Sequence, residues 1–394
     1  MINQFREARS EAPTKEVWKH LRFFLDQTAV IETIKQVHNL EGKNHDSNIK
    51  KQAEQIGLCI EQAEEYFNAA GTVGLSTRPL LQYYGAVALT RALTLLKLDG
   101  NYSIDALRKQ KKHKHHGLEL VSASNYQLNQ GEHWSSFFER TKCQIFVKDD
   151  SPWGHFPLFY RSLVPSAMFF SSRLRVKGKT IYIEKPIVMD SAEKLDIKKL
   201  VGRDLNLLEM IRELPELQSL LNQFGITPTL RRGNIRAEIV QTLTENRITH
   251  ESHCYDFFVN AISSDTKKAL VEAYTRRGLK LVDDIGAHLH LRLEFELNEG
   301  QSTTFHAPDV VDDLVGNKYF VLDPDSYIQE EAKYFIILYC LGMISRYYPD
   351  VWVKVLKSST LVREITDSLL SLIERKLPNL ILDQLTGVKH YIHS

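Results

Sequence analysis

Cysteine is scarce in this chain, with four in 394 residues at positions 59, 143, 254 and 340, and no Cys-x-x-Cys pair. Thiols so far apart exclude a dense disulfide framework and a paired-cysteine zinc ribbon. They suit reduced, mostly buried side chains in a cytosolic protein. An excess of one charge is also missing. Lys+Arg number 50 against 49 Asp+Glu, a net charge of +1, so no global field draws the chain to nucleic acid or membrane, and such binding falls to local patches. The longest apolar run, Tyr334–Ile344, is about half of the roughly 20 residues that span a bilayer. The first eighteen residues carry acids and no apolar stretch, which argues against a secretory leader. The expectation is a cytoplasmic protein without membrane contact. There is also no GxxxxGK followed by Ser or Thr, no GxGxxG, no GxSxG and no HExxH, which speaks against the common NTPase, dinucleotide, serine-hydrolase and zincin chemistries.

What is present is ordinary globular material, 43% hydrophobic and 25% charged, in a chain longer than one usual domain. Val17, Leu21, Phe24, Leu25, Val30, Ile31 and Ile34 recur at helical spacing, predicting one helix or two short ones over 14–38. Residues 41–51 read as a polar loop, followed by a helix from about Lys51 to Ala70. Ser76–Lys97 reads as a buried aromatic helix, with Thr77 as N-cap and Pro79 in the first turn. Residues 100–117 read as a polar, basic linker with Gly117 at a cap or turn.

From about 140 the pattern changes. Gln144–Val147 reads as a strand, 174–188 as a hairpin turning at Lys177-Gly178-Lys179, and 203–222 as one leucine-faced helix. Residues 227–245 fit strand or helix equally. Residues 265–275 suit a helix, and Ala287–Leu297 alternates apolar and polar as a one-sided strand does. Ala307–Leu322 reads as irregular, with Asp323–Ser326 as a turn and cap before a helix near Ile328. Glu330–Leu356 is helical with a break at Pro349, and Leu361–Arg375 is the last helix. The expected fold is mainly α (α+β), with N- and C-terminal helices packed together around a mixed strand/helix middle region. The regions are a helical 1–140, a mixed insertion 141–326 with the hairpin and amphipathic strand, and a helical 327–394 packing on the first.

The densest chemistry is basic. Arg108, Lys109, Lys111, Lys112, Lys114 and histidines 113, 115 and 116 fall within nine positions. Such charge repels itself unless an anion neutralises it or water screens it, so the reading lies between a phosphate or nucleic-acid site and a solvated loop. Arg231, Arg232 and Arg236 are further candidates for the same anion. His250, His253 and Cys254, near Asp256, lack the second ligand pair of a structural zinc site, and an incidental group on a helix or loop is favoured. His288 and His290 share the polar face of the amphipathic strand. Asp283, Asp284, Asp309, Asp312, Asp313, Asp323 and Asp325 are the carboxylates a Mg²⁺-dependent nuclease would draw on. No metal and no cofactor is expected. In Tyr334–Pro349, ahead of Trp352, Arg346 is the lone charge among aromatics. That pattern fits a helix packed on Ser76–Lys97 with Arg346 paired to a carboxylate or reaching water, or equally a homo-oligomer interface.

Arg108 and His113 are separated by four residues, a spacing that resembles the paired arginine–histidine signature of HEPN ribonucleases. There the two would hold an RNA phosphate and move a proton. Arg247 with His253 satisfies the same pattern. A broader resemblance rests on Arg78-Pro79-Leu80-Leu81-Gln82-Tyr83-Tyr84-Gly85, on His116-Gly117-Leu118, and on Tyr334 to Pro349 including Arg346, with Trp352 close behind. In order and spacing these resemble the YaaC-like family of bacterial proteins over most of the chain beyond the first fifty or so residues. The resemblance implies a helical architecture and carries no activity over to any residue. The lysines and histidines ahead of His116 depart from the family pattern. Three readings follow: a regulatory or binding subunit engaging RNA, DNA or a nucleotide through the basic turn; a metal-independent HEPN-like ribonuclease in phage defence or as a toxin; and a scaffold whose partner is another protein.

Overall fold

The computed structural model describes residues 2, 4–40, 46–98, 103–121, 133, 135–164, 169–177, 179–186, 195–245, 247–261, 263–298, 310–323 and 326–393. The expectations placed on 41–45, Gly178, Asp309 and Asp325 lie outside these residues.

Strand β1 (Gln4–Arg9) is followed by α1 (Pro13–Leu21) and α2 (Gln27–His38), with a 3-10 turn at Arg22–Leu25 between them. These are the two short helices that the apolar spacing allowed. The Asp26 carboxylate caps α2 by accepting from the Thr28 and Ala29 N–H groups. Helix α3 (Asp46–Ala70) begins inside the stretch expected to be loop, because Ile49 is buried and turns the polar residues around it outward. In α4 (Arg78–Lys97) Pro79 sits in the first turn as expected, but Thr77 makes no side-chain cap. A methyl group on Gly85 would lie 2.8 Å from the Phe67 ring, so its absence lets α3 and α4 approach. Helix α5 (Ile104–Lys109) replaces the expected linker: Ser103 caps it by accepting from the Ala106 N–H, and Leu107 is buried. Then come β2 (Leu118–Leu120), α6 (Ser135–Arg140), β3 (Lys142–Ile145), β4 (Val147–Lys148), β5 (Ser151–Pro152) and α7 (His155–Ser162).

The hairpin is present as β6 (Phe169–Val176) and β7 (Lys179–Pro186). After β8 (Leu205–Asn206), the expected single helix divides into α8 (Leu207–Arg212) and α9 (Gln218–Gln223). Pro215 opens a 3-10 turn between them, while Leu214 and Leu217 stay buried. The ambiguous stretch is a strand, β9 (Leu230–Thr244), paired with β10 (Arg247–Asn260). Next come α10 (Ser264–Thr275), β11 (Lys280–Ile285), β12 (His288–Asn298), β13 (Val310–Asp312) and β14 (Lys318–Val321), the last two lying where irregular chain was expected. The large sheet runs β11-β12-β10-β9-β14-β13, with β6 parallel to the far half of β9 and carrying β7. Its inner face buries Tyr255, Phe257, Leu289, Leu291 and Phe320 against Leu270 and Tyr274 of α10.

The chain closes with α11 (Glu330–Tyr347), α12 (Pro349–Ser358), α13 (Thr360–Thr386) and β15 (Val388–His393). Helix α11 starts two residues beyond Ile328, and Gln329 at its start makes no side-chain cap. Helix α13 does not stop at Arg375 but runs through Pro378. Burial of Leu377, Leu380 and Ile381 outweighs the roughly 3 kcal/mol cost of an interior proline. Strand β15 pairs in parallel with β1, from Gln4 against Val388 to Arg9 against His393. One core takes residues from Val17 to Ile226 and again from Ile328 to Ile392, and a second core holds Ala237 to Phe320. The protein is thus mainly α within the α+β class, its terminal helices packed together and its middle bearing the sheet. Among the described residues, no helix is long and apolar enough to cross a membrane.

Candidate functional site

Helix α4 is buried nearly all round, and its polar groups therefore need partners. Arg78 forks onto α13, donating to Asp367 Oδ1 at 3.0 Å and Glu374 Oε2 at 2.8 Å. Gly342 of α11 faces Tyr83 so closely that an added Cβ would lie 3.1 Å from the tyrosine Cβ. Trp352 is fully buried and donates its indole N–H to the Leu75 carbonyl at 3.0 Å. Arg78, Gly85 and Trp352 are therefore fasteners of the helical core.

Tyr83 has a different neighbour. Its hydroxyl meets His116 Nδ1 at 2.7 Å, and its ring packs on Phe335 and Tyr339. Seven residues on, Thr90 Oγ1 lies 2.8 Å from Nε2 of the buried His155. Gly117 (φ 91°) and Gly154 (φ 105°) bring their backbones together, and a Cβ on Gly117 would lie 2.5 Å from Pro157 Cδ. That close approach seats the turn on the start of α7: the His115 and His116 carbonyls accept from the His155 and Phe156 N–H groups, both at 2.9 Å. Two of the N–H groups that a helix start leaves unpaired are thereby satisfied. The Tyr339 hydroxyl donates to the Leu118 carbonyl at 2.7 Å. His116-Gly117-Leu118 is thus the joint between α4, α7 and α11.

The joint is electropositive. Burial, with Arg91, His116 and His113 around it, pushes the His155 pKa down to about 3. Burial, with Arg346 and His115, also lowers that of His116. Arg91 is half-buried with no hydrogen bond or ion pair among the described residues. Arg346 is exposed: it donates to the Tyr84 hydroxyl and stands 5.1 Å from the Tyr347 ring centroid. The expected carboxylate partner of Arg346 is absent among the described residues, and the arginine reaches water instead.

The basic segment leads into this joint. Gln55 of α3 holds the start of α5, accepting from the Ile104 N–H at 2.7 Å and donating to Asp105 at 3.0 Å. The far end is held on α7 by the carbonyls of 115 and 116. Between these anchors Arg108, Lys109, Lys111 and Lys114 are exposed, with no hydrogen bond or ion pair among the described residues. The nearest acid, Asp105, is already engaged by Lys51 at 2.6 Å. The Lys112 side chain lies outside the described set. Among the described residues no hydrogen bond joins Arg108 to His113; the charge of Arg108 acts on Asp105 and that of His113 on His155.

Other candidates are placed elsewhere. Arg231, Arg232 and Arg236 lie on β9, where they engage the Pro228 carbonyl, Asn317 and the Phe258 ring respectively. His250, His253 and Cys254 are on strand β10, not a helix or loop. His253 stacks on Phe295 at 4.8 Å, while Cys254, one residue on, projects from the opposite face toward Glu294. His290 and Arg292 share Asp256. Asp312 takes Lys318 and the Tyr391 hydroxyl, and Asp284 takes Lys267. Among the described residues, no three His, Cys, Asp or Glu gather as a metal site. Cys59, Cys143 and Cys340 are buried free thiols, and Cys254 is half-buried.

A second concentration of charge lies where α13 meets α11, β13 and β15. Buried Lys376 donates to Glu330 at 2.7 Å, to Glu216 at 2.9 Å and to the Asp312 carbonyl at 2.9 Å. Burial opposes its charge, yet Glu330 and Glu216 outweigh burial and raise its pKa. Burial lifts the Glu331 carboxyl to about 7, and that group accepts from Gln384 at 2.8 Å. The cleft above holds about 40 Å³, room for only a few water molecules. This cluster ties the sheet to the helices.

Sequence reading found Tyr83, the basic run and His116, but missed Thr90, Arg91, His155 and Tyr339. The available signal was the seven-residue spacing of Tyr83 and Thr90, which puts two polar groups on one face of an apolar helix. No curated protein and no solved structure matches the chain. The YaaC-like Protein family matches residues 22–385, beginning well before the first quoted motif. The chain belongs to the YaaC-like family.

Proposed function

We propose that this YaaC-like protein binds nucleic acid through the segment Arg108–His116, as a binding or regulatory protein. The observation that carries the reading is the state of Arg108, Lys109, Lys111 and Lys114. All four are exposed and make no ion pair among the described residues, on a segment fastened at both ends. Surface cations usually sit among acids of opposite sign. A row left unneutralised and held in place gains free energy when phosphates replace its counterions. The neutral histidines and unpaired Arg91 behind it add no negative charge to offset that field.

The test is fluorescence anisotropy with labelled RNA and DNA across a salt series. Binding that weakens steeply with salt, and that is lost when the four cations become Ala, supports the reading. Salt-independent binding, or binding unaffected by those substitutions, contradicts it. The same mixtures, run on a gel with EDTA and with Mg²⁺, report cleavage. Cleavage that survives EDTA and disappears in His113→Ala would replace this reading with a ribonuclease.

A further inference from the structure

Resting on the reading above, we infer that the nucleic acid is single-stranded, and that its unpaired bases stack on two aromatic groups reached from the last residues of the basic segment. Successive residues of the turn reach these two groups. His115 is exposed and lies flat on Phe146, with centroids 4.8 Å apart and planes 13° from parallel, and Trp153 is edge-on to it at 6.2 Å. Lys148 stands over that Trp153 ring at 4.8 Å. His116 leads to the second group: its ring stands 5.7 Å from that of Tyr83, which is 5.8 Å from Tyr84, and the Tyr84 hydroxyl accepts from Arg346 beside Tyr347. Tyr347 is 58% exposed, so ring surface is open to solvent there.

Exposed rings interleaved with cations make a stacking platform along a charged track. A duplex keeps its base faces inside its own stack and cannot use such rings, whereas a single strand offers a face at every nucleotide. The cations suit the same partner. Three of the four on the segment are lysines, hydrated point charges that follow a backbone, rather than the arginine forks that grip one phosphate bidentately. A phosphopeptide would favour the arginine forks and would leave the rings idle.

The experiment compares a labelled single strand of about 20 nucleotides with the duplex of the same sequence, at low salt, on the full chain. The single strand should bind about tenfold or more tightly than the duplex. The double variant His115→Ala/Tyr347→Ala should lose about tenfold for the single strand and leave the duplex unchanged. Tyr347→Phe, which keeps the ring, should bind as the wild type does. Lys111→Ala/Lys114→Ala should weaken both ligands together. Equal affinity for both ligands overturns the inference, as does an aromatic double variant that leaves single-strand binding intact or weakens both ligands alike. In those cases a loss in the lysine variant leaves nucleic-acid binding standing. No binding of either ligand removes both. Unchanged thermal unfolding of each variant assigns the loss to the surface and not to misfolding.

Discussion

The segment Arg108–His116 and the junction at Lys376 both concentrate charge, and they treat it in opposite ways. At the junction the lysines have their anions: Lys376 takes Glu216 and Glu330, Lys333 takes Glu213 at 2.6 Å, and Lys389 takes Asp383 at 3.5 Å. These groups are buried, and a buried charge left alone costs several kcal/mol, so pairing there is obligatory. On the segment four cations lie in water without an ion pair among the described residues. Water makes that tolerable, and the remaining field is available to a ligand. Charge that is paired and buried fastens the fold, while charge that is exposed and unpaired is free to bind.

The comparison breaks most visibly at Lys376. Lys376→Met leaves Glu216 and Glu330 facing each other without their cation and should cost about 3–5 kcal/mol, read from chemical denaturation. Nucleic-acid binding per folded molecule should be unchanged. A loss below about 1 kcal/mol would mean that the cluster does not hold sheet to helices as described. Gly117→Ala is next. A positive φ and a contact with Pro157 should together cost about 2 kcal/mol and weaken nucleic-acid binding as the turn shifts off α7. Full stability and binding in that variant would show that the close approach of Gly117 and Gly154 is not needed.

Acid sharpens the contrast between the two regions. The His155 pKa is about 3 in the fold against 6.5 ordinarily, so the unfolded chain takes up the proton first. Its contribution is complete above pH 6.5 and falls by about 2 kcal/mol on going down to pH 5. Glu331 has the opposite sign. Its pKa is about 7 in the fold against 4.5 ordinarily, so the folded chain holds a proton that the unfolded chain releases. It therefore adds about 2 kcal/mol over the same descent from pH 6.5 to 5. The two nearly cancel in the wild type. Glu331→Gln should uncover the loss from His155, and His155→Gln the gain from Glu331. Denaturation curves at the two pH values, showing the same slope in all three proteins, would contradict both assignments. The smallest effect on stability belongs to the segment itself: Lys111→Ala/Lys114→Ala should stay within about 0.5 kcal/mol of wild type.

Much of the fold was legible where local chemistry and burial agree. Pro79 and a stretch rich in apolar and aromatic residues marked α4, Pro349 marked the break between α11 and α12, and strict alternation marked β12. Elements decided by distant partners were not legible. Strands β1 and β15 are short and polar and exist because they pair across the whole chain. Leucine spacing over 203–222 could not report that Pro215 divides the helix. Interior leucines carry α13 past Pro378, against the local rule for proline. The site divides in the same way. The basic run was plain, since its composition needs no partner to be noticed. Thr90, His155 and Tyr339 become meaningful only when α4, α7 and α11 meet, and Lys376 finds Glu216 160 residues away.

The most direct test of the account is the salt dependence of nucleic-acid binding in the wild type and in the variant with Arg108, Lys109, Lys111 and Lys114 all changed to Ala. The account predicts that the slope of log affinity against log salt becomes shallower by about 3 for a single strand, while unfolding is unchanged. An unchanged slope would show that the phosphates are met elsewhere, or not at all, and would contradict it.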